Sequence, residues 1–183
     1  MSRIRFKKPT TKKLLWISIA ISILPIFYLI MNLCGIVFTY TGSLPTGFYY
    51  QKNFNNKIQI GQIVSFCLPQ NIAKYGYDRG YIGEGNCQGG YAALMKEVVA
   101  IPGDDIVIND NDIIVNHKVY YAPVGFHDSH GLTVKRFVNN GSYKATGYWF
   151  YGFGSPTYSW DSRYYGEVPQ ANILHEYKPL LVF

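Results

Sequence analysis

The sequence predicts a mainly β domain preceded by one apolar helix. Residues 14–51 contain no Asp, Glu, Lys, Arg or His, which is typical of a long buried or membrane-embedded segment. The chain after them breaks into short apolar segments separated by Gly, Pro, Asn and Asp, as strands joined by turns do. Aromatic residues make up 17% of the chain and most are Tyr, which favours strands over a helical bundle. A length of 183 residues with 48% hydrophobic side chains is sufficient for one packed domain.

The apolar run at the N-terminus has the length of a membrane span. Residues 14–38 are 25 uncharged residues. As a helix they would measure about 37 Å, which exceeds the ~30 Å hydrocarbon core. A cleavable signal is shorter and ends in small residues, so we expect the run to be retained, with a buried core helix as the alternative. The basic residues before it predict a cytoplasmic arm (1–13), a transmembrane anchor (14–40) and an extracytoplasmic domain (41–183).

The positive charge of the chain is concentrated in the arm. The formal net charge is +6, and the residues outside the arm carry equal numbers of acidic and basic side chains. A nucleic-acid-binding domain should keep its basic patch on the folded part, so we expect no nucleic-acid partner. The Gly-rich segment 76–90 lacks both the Walker A pattern and the G-x-G-x-x-G fingerprint, which argues against nucleotide binding. The basic residues of the arm are Arg3, Arg5, Lys7, Lys8, Lys12 and Lys13.

Two cysteines fall in the predicted extracytoplasmic part. Cys67 and Cys87 flank a Gly-rich, loop-like stretch, and in an oxidising compartment such a pair is expected to form a disulfide. Two free thiols are the alternative, and a zinc site is disfavoured because further ligands at metal-binding spacing are missing. Cys34 lies inside the apolar run. His127 and His130 in "HDSH" are interpreted as part of a surface turn, so we expect no metal.

Four segments after residue 60 are predicted to form strands. Residues 61–68 are one strand, and residues 94–123 give three strands joined by a Pro-Gly-Asp turn and an Asn-Asp turn. Residues 144–154 and 168–183 supply two further strands, and the latter could close a sheet. The aromatic segment 147–153 either packs in the core or lies at a membrane interface.

Two polar residues stand out from their surroundings. Ser43 lies in the tight turn "TGSLPTG" directly after the apolar run, where Gly and Pro have a turn function and Ser has none of its own. On a strand, Lys96 shares an apolar face with Leu94, Val98 and Ala100. Lys96 could snorkel to water, or burial could lower its pKa so that a neutral amine takes the proton of a Ser hydroxyl.

A third polar stretch is "SWDSRYYGEVP", residues 159–169. On a strand, Ser159, Asp161 and Arg163 alternate and could share one face. Asp161 with Arg163 is ordinarily a structural ion pair, and Ser159 ordinarily a surface hydroxyl.

Together these stretches resemble a known family. "SLPTG", "KEVVAIPGDD" and "SWDSRYYGEVP" occur in the order of the conserved boxes of type I signal peptidases, which are Ser-Lys serine endopeptidases. The compact length, the S-x-P-x-G pattern and the region "C…RGYIGEGNC…LMK" look like the TraF branch. Its members are conjugative-transfer peptidases that mature pilin subunits during type IV secretion. The resemblance implies a signal-peptidase-like antiparallel β domain.

The resemblance also implies roles for individual residues. Ser43 is expected to be the nucleophile and Lys96 the general base. The N–H of Ser43 and the hydroxyl of Thr41 are expected to form the oxyanion hole. Ser159 is expected to orient the lysine amine. An ion pair of Asp161 with Arg163 is expected to brace the site.

The expected function is that of a membrane-anchored serine endopeptidase without a metal or organic cofactor. Its substrate would be an exported pro-pilin or preprotein, and its other partners the membrane lipid and the conjugation machinery. The implied location is a bacterial inner membrane, with a cytoplasmic N-terminus and a periplasmic catalytic domain. Two alternatives remain: a general leader peptidase, and a non-catalytic assembly component of a secretion channel.

Overall fold

The computed structural model describes residues 11–52, 57–121, 123–154 and 158–183. The predicted basic arm lies outside these ranges except for its last three residues. The described helices are α1 (Thr11–Leu33), α2 (Gln70–Asp78) and α3 (Ser162–Tyr165). The described strands are β1 (Ile36–Thr39), β2 (Gly47–Lys52), β3 (Ile63–Phe66), β4 (Glu84–Cys87), β5 (Leu94–Ala100), β6 (Asp105–Ile108), β7 (Asp112–Val115), β8 (Lys118–Tyr121), β9 (Gly141–Lys144), β10 (Trp149–Tyr151) and β11 (Ile173–Val182).

The N-terminal helix ends before the apolar run does. Gly35 adopts a φ of +68°, and Ile36–Thr39 then forms β1, which pairs with β2. Glycine favours this helix end because it has no Cβ to clash in the left-handed conformation. The expectation of helix through Phe38 is therefore wrong. Within the described ranges, none of the helices combines the length and hydropathy that a membrane crossing requires.

The domain is built from two antiparallel sheets, as the mainly β prediction requires. The six-stranded sheet has the order β1-β2-β11-β3-β5-β10, and the four-stranded sheet has the order β8-β7-β6-β9. The C-terminal strand β11 therefore lies in the interior of the larger sheet, between β2 and β3. Residues 94–123 form four strands, β5 to β8, with the Pro-Gly-Asp turn between β5 and β6. The prediction of three strands is wrong because the third turns back at Asn116 and His117, which both have positive φ, and forms the β7–β8 hairpin.

Aromatic residues of β10 form part of the core. Residues 148–151 are all buried, so core packing is the correct interpretation for them, whereas Phe153 is 39% exposed. The ring of Phe150 stacks on that of Phe66 with a centroid separation of 3.9 Å. β10 is the edge strand of the larger sheet and pairs with β5. Its side chains belong to two core clusters, and this packing holds β10 against β5.

The segment between Cys67 and Cys87 contains a helix that the sequence interpretation missed. α2 buries Ile72 and Ala73 against the main core, although Gly76 weakened the helical pattern. Gly76 is needed there because a Cβ would lie 2.5 Å from the ring of Trp160. The predicted disulfide between Cys67 and Cys87 is present and ties the start of α2 to β4.

Candidate active site

Ser43 lies in the loop that connects β1 to β2. The loop turns through Gly42 and Pro45, so Ser43 is half-buried while the neighbouring Leu44 is only 2% exposed. Leu44 packs with Tyr49 and Tyr177 in a small apolar cluster. The loop therefore anchors one side chain in the domain and presents the Ser43 hydroxyl beside it.

Lys96 occupies the middle of β5, where it is 2% exposed. Its strand lies between β3 and β10 in the larger sheet. Lys96 Nζ lies 2.6 Å from Ser43 Oγ and 2.9 Å from Ser159 Oγ. The two hydroxyl oxygens are 3.2 Å apart, so the three polar atoms form a closed triangle. The structure thus brings together three residues that are far apart in the sequence.

The surroundings of Lys96 favour its neutral form. Burial is the main cause, and it lowers the pKa of Lys96 from 10.5 to about 8. The negative charge of Asp161 raises this pKa and the positive charge of Arg163 lowers it, so the two oppose each other. With this pKa about a tenth of the amine is neutral at pH 7 and can act as a base, whereas at the ordinary pKa almost none would be.

A buried ion pair of Asp161 with Arg163 supports the site. Arg163 donates from Nε to Asp161 Oδ1 over 2.7 Å and from Nη2 to Asp161 Oδ2 over 2.8 Å. Arg163 Nη2 also donates to the carbonyl of Ser159 over 3.1 Å. Asp161 is the N-cap of α3, so the expected strand with alternating faces is wrong here. The short helix brings the two charged side chains together.

Two glycines in the segment after β10 are functional candidates that the sequence interpretation missed. A Cβ on Gly152 would lie 1.8 Å from Ser159 Oγ, and a Cβ on Gly154 would lie 2.6 Å from the carbonyl oxygen of Gly42. Gly154 N also donates to the carbonyl of Ser43 over 3.3 Å. The G-x-G pattern at the end of an aromatic strand was the available signal, since alternate residues share one face.

The remaining candidates lie apart from this triangle. Thr41 is exposed, and its Oγ1 lies 3.2 Å from that of Thr39. His127 and His130 are exposed, whereas Asp128 between them pairs with Arg79. In the described part of the chain, no group of three or more His, Cys, Asp and Glu side chains is placed to hold a metal ion.

Comparison with known proteins assigns the family. The family model described as signal peptidase, peptidase S26, matches residues 11–180. The conjugal transfer protein TraF of Agrobacterium fabrum is 33% identical over 144 residues, covering 78% of this chain and 80% of that protein. The plasmid transfer protein TraF of Escherichia coli is 29% identical over 153 residues, covering 82% of this chain and 85% of that protein.

A more distant likeness is to a crystal structure of signal peptidase I from Enterococcus faecalis, with a TM-score of 0.36 and 17% identity over 65% of this chain and 95% of that chain. This likeness is too low to support an argument about the fold. The family match is sufficient on its own: the chain belongs to the signal peptidase S26 family. Its similarity to the TraF proteins places it in the TraF-like branch of that family.

Proposed function

We propose that this protein is a serine endopeptidase with a Ser43–Lys96 dyad that cleaves exported pro-proteins. The observation that carries the proposal is the 2.6 Å separation of Lys96 Nζ and Ser43 Oγ at a buried position where the pKa of Lys96 is about 8. Among the described residues the hydrogen-bond partners of Lys96 are two hydroxyls and no carboxylate, and burying a lysine in this way costs free energy, which a catalytic role explains.

The chemistry starts with the neutral amine. As Ser43 Oγ attacks the scissile carbonyl carbon, its proton passes to Lys96 Nζ and the carbonyl π electrons move to the oxygen. The N–H of Ser43 and the hydroxyl of Thr41 would donate to that oxyanion. Lys96, now an ammonium, then gives the proton to the departing peptide nitrogen, and the C–N bond breaks. An acyl ester on Ser43 and a free amine result.

The second half of the reaction uses the same groups. Lys96 is neutral again once the amine has left, so it can take a proton from a water molecule that attacks the ester. It then returns this proton to Ser43 Oγ as the ester C–O bond breaks, which releases the carboxylic acid and restores the Ser43 hydroxyl. Ser159 Oγ, 2.9 Å from Nζ, accepts a hydrogen bond from the amine and keeps its lone pair directed at Ser43. Ser159 adds no negative charge, so it orients the amine while stabilising its protonated form less than a carboxylate would.

The names of the relatives support a proposal for the substrate class. Several are named for conjugal or plasmid transfer, so we propose a pilin precursor of a conjugation system as the substrate. We also propose that residues 14–33 attach the enzyme to the bacterial inner membrane, with the basic arm in the cytoplasm and the peptidase domain in the periplasm. This part rests on the sequence, because the run after the basic arm is uncharged.

The test is the intact mass of the candidate pilin subunit in cells with the wild-type protein, with Ser43→Ala and with Ser142→Ala. Ser142 is an exposed serine of β9 and serves as the control. We expect the precursor to accumulate only with Ser43→Ala. Accumulation of many unrelated preproteins would instead indicate a general leader peptidase. Normal processing and transfer with Ser43→Ala would support a non-catalytic assembly component and refute the proposal.

The orientation is tested separately with a reporter fused after Phe183. An alkaline phosphatase fusion is expected to be active, because this enzyme needs an oxidising compartment for its disulfides. A β-galactosidase fusion is expected to be inactive. The opposite pattern would place the domain in the cytoplasm and contradict both the topology and the proposed substrates.

A further inference from the structure

The loop that carries Ser43 has few internal contacts to fix its shape. Its backbone hydrogen bond from Leu44 N to the carbonyl of Thr41 is long, at 3.5 Å. Thr41, Gly42, Pro45 and Thr46 are all exposed. Yet a nucleophile must be held within a fraction of an ångström of its base to react efficiently. The constraint has to come from residues outside the turn.

One side chain holds both residues that follow the nucleophile. Tyr49 on β2 is 1% exposed, and its ring packs against Leu44 in the same apolar cluster. Its hydroxyl donates to the carbonyl of Pro45 over 2.7 Å. The contact to Leu44 is apolar and tolerates sliding, whereas the hydrogen bond to Pro45 is directional. Together the two contacts fix how deeply the turn is buried in the domain and how it is oriented.

The opposite side of the turn is closed by backbone. Gly154 N donates to the carbonyl of Ser43 over 3.3 Å, and a Cβ on Gly154 would lie 2.9 Å from the carbonyl oxygen of Leu44. The backbone at Gly154 therefore packs directly against the loop. Tyr49 keeps the loop against Gly154, because its hydroxyl makes the shortest described hydrogen bond to a backbone atom of the loop, 2.7 Å against 2.9 Å for the bond from Phe183 N to the carbonyl of Thr46.

We propose that Tyr49 is a positioning residue that sets the distance between Ser43 Oγ and Lys96 Nζ through the carbonyl of Pro45. The proposal rests on the proposed peptidase function. Tyr49 touches neither the substrate nor the reacting atoms, and it acts by fixing the turn. Its burial raises the pKa of its hydroxyl, so the hydroxyl remains a donor throughout the working pH range of the enzyme.

The variant that tests this is Tyr49→Phe in the full chain, which keeps the ring and removes only the hydroxyl. The protein offers a matched control in Tyr143→Phe. Tyr143 donates to the carbonyl of Asn139, also four residues earlier and also over 2.7 Å, but in the other sheet. We expect Tyr49→Phe to lower kcat about tenfold with KM nearly unchanged, because a small misplacement of a reacting group affects the chemical step. Tyr143→Phe should leave both constants unchanged.

A second readout does not depend on peptide cleavage. In a Cys34→Ser background, Ser43→Cys places a thiol beside Lys96, whose ammonium should stabilise the thiolate. We measure its rate of alkylation by iodoacetamide against pH. Adding Tyr49→Phe should slow alkylation at pH 7 about fivefold and move the midpoint to higher pH, because the thiolate loses its close cation. Adding Tyr143→Phe should do neither.

The two readouts separate the possible failures. If the wild-type protein cleaves nothing, the proposed function fails, while the alkylation rates still decide whether Tyr49 positions residue 43. If Tyr49→Phe lowers only the melting temperature and leaves kcat and the alkylation rate at their control values, Tyr49 is merely structural and the positioning role is overturned.

Discussion

Arg163 donates two parallel hydrogen bonds to Asp161 in the buried interior of the domain. Both side chains are 0% exposed, and the guanidinium also holds the carbonyl of Ser159. Asp161 in turn accepts a hydrogen bond from Gly152 N over 3.0 Å. The ion pair therefore connects the two chain segments that surround the lysine amine, and it places one positive and one negative charge near that amine.

Asp161→Asn should destabilise the domain strongly. Removing one partner leaves the buried guanidinium without its counter-charge, which typically costs about 3 to 5 kcal/mol. In the protein that still folds, the pKa of Lys96 should fall further because Asp161 raises it. Urea unfolding and the pH dependence of cleavage measure the two effects. Asp105→Asn is the control: it breaks an exposed ion pair with Lys144 and should cost about 1 kcal/mol at most.

The rate of cleavage should rise with pH through a midpoint near 8. The active form of Lys96 is the neutral one, and burial lowers its pKa to about 8, so activity is lost as the pH falls below that value. Lys96→Arg should be inactive because a guanidinium does not give up its proton. The measurement is kcat/KM against pH for one peptide. An active Lys96→Arg enzyme would move the search for a base to His127 and His130.

Lys96→Met should be inactive and yet more stable than the wild-type protein at pH 7. In the wild-type protein the folded state binds fewer protons than the unfolded state between about pH 8 and 10.5, so stability rises with pH in that window. Methionine carries no charge to bury, and we expect a gain of about 1 to 3 kcal/mol at pH 7 that shrinks toward pH 10. Urea unfolding at both pH values measures it. A gain that is constant with pH would contradict the assigned cause.

Gly152→Ala should abolish activity by displacing Ser159. The added methyl would overlap Ser159 Oγ, so the hydroxyl can no longer reach Lys96. We expect a loss in kcat of about 100-fold or more, comparable to the loss of a positioned catalytic group. Gly83→Ala is the matched control, because nothing lies within 4 Å of its added methyl. Adding Ser159→Gly should restore the melting temperature of Gly152→Ala without restoring activity.

Loss of the Cys67–Cys87 disulfide should affect stability more than chemistry. The bond closes a segment with a sequence separation of 20, and opening such a loop costs about 3 kcal/mol in the chain-entropy model. The double replacement Cys67→Ser with Cys87→Ser should lower the melting temperature and leave kcat nearly unchanged. Peptide mapping without reductant checks the bond itself. Cys34→Ser is expected to change neither quantity.

The sequence predicted the residues of the candidate site better than the residues that hold them in place. Ser43 and Lys96 were recognisable because each is a polar residue that its local pattern does not need. Gly152 and Tyr49 were not, since their roles come from contacts with residues distant in the chain. The same holds for α2, where Gly76 weakens the local signal and the ring of Trp160 accounts for it only in the folded domain.

The strands were predictable from alternation and turn residues, but their order in the sheet was not. Pairing of β11 with both β2 and β3 brings together segments from the two ends of the domain. A period of two in the side chains fixes which residues share a face, and it says nothing about which strand will be the neighbour.

The interior position of β11 determines when the peptidase can become active. Ser43 precedes β2 and Lys96 lies on β5, and in the described sheet β11 and β3 lie between these two strands. During synthesis, the residues of β11 emerge last among the described strands. A nascent enzyme therefore has its serine and its lysine on separate pieces of sheet until Ile173–Val182 inserts between β2 and β3. Insertion of this strand completes the sheet that holds the proposed Ser43–Lys96 dyad together.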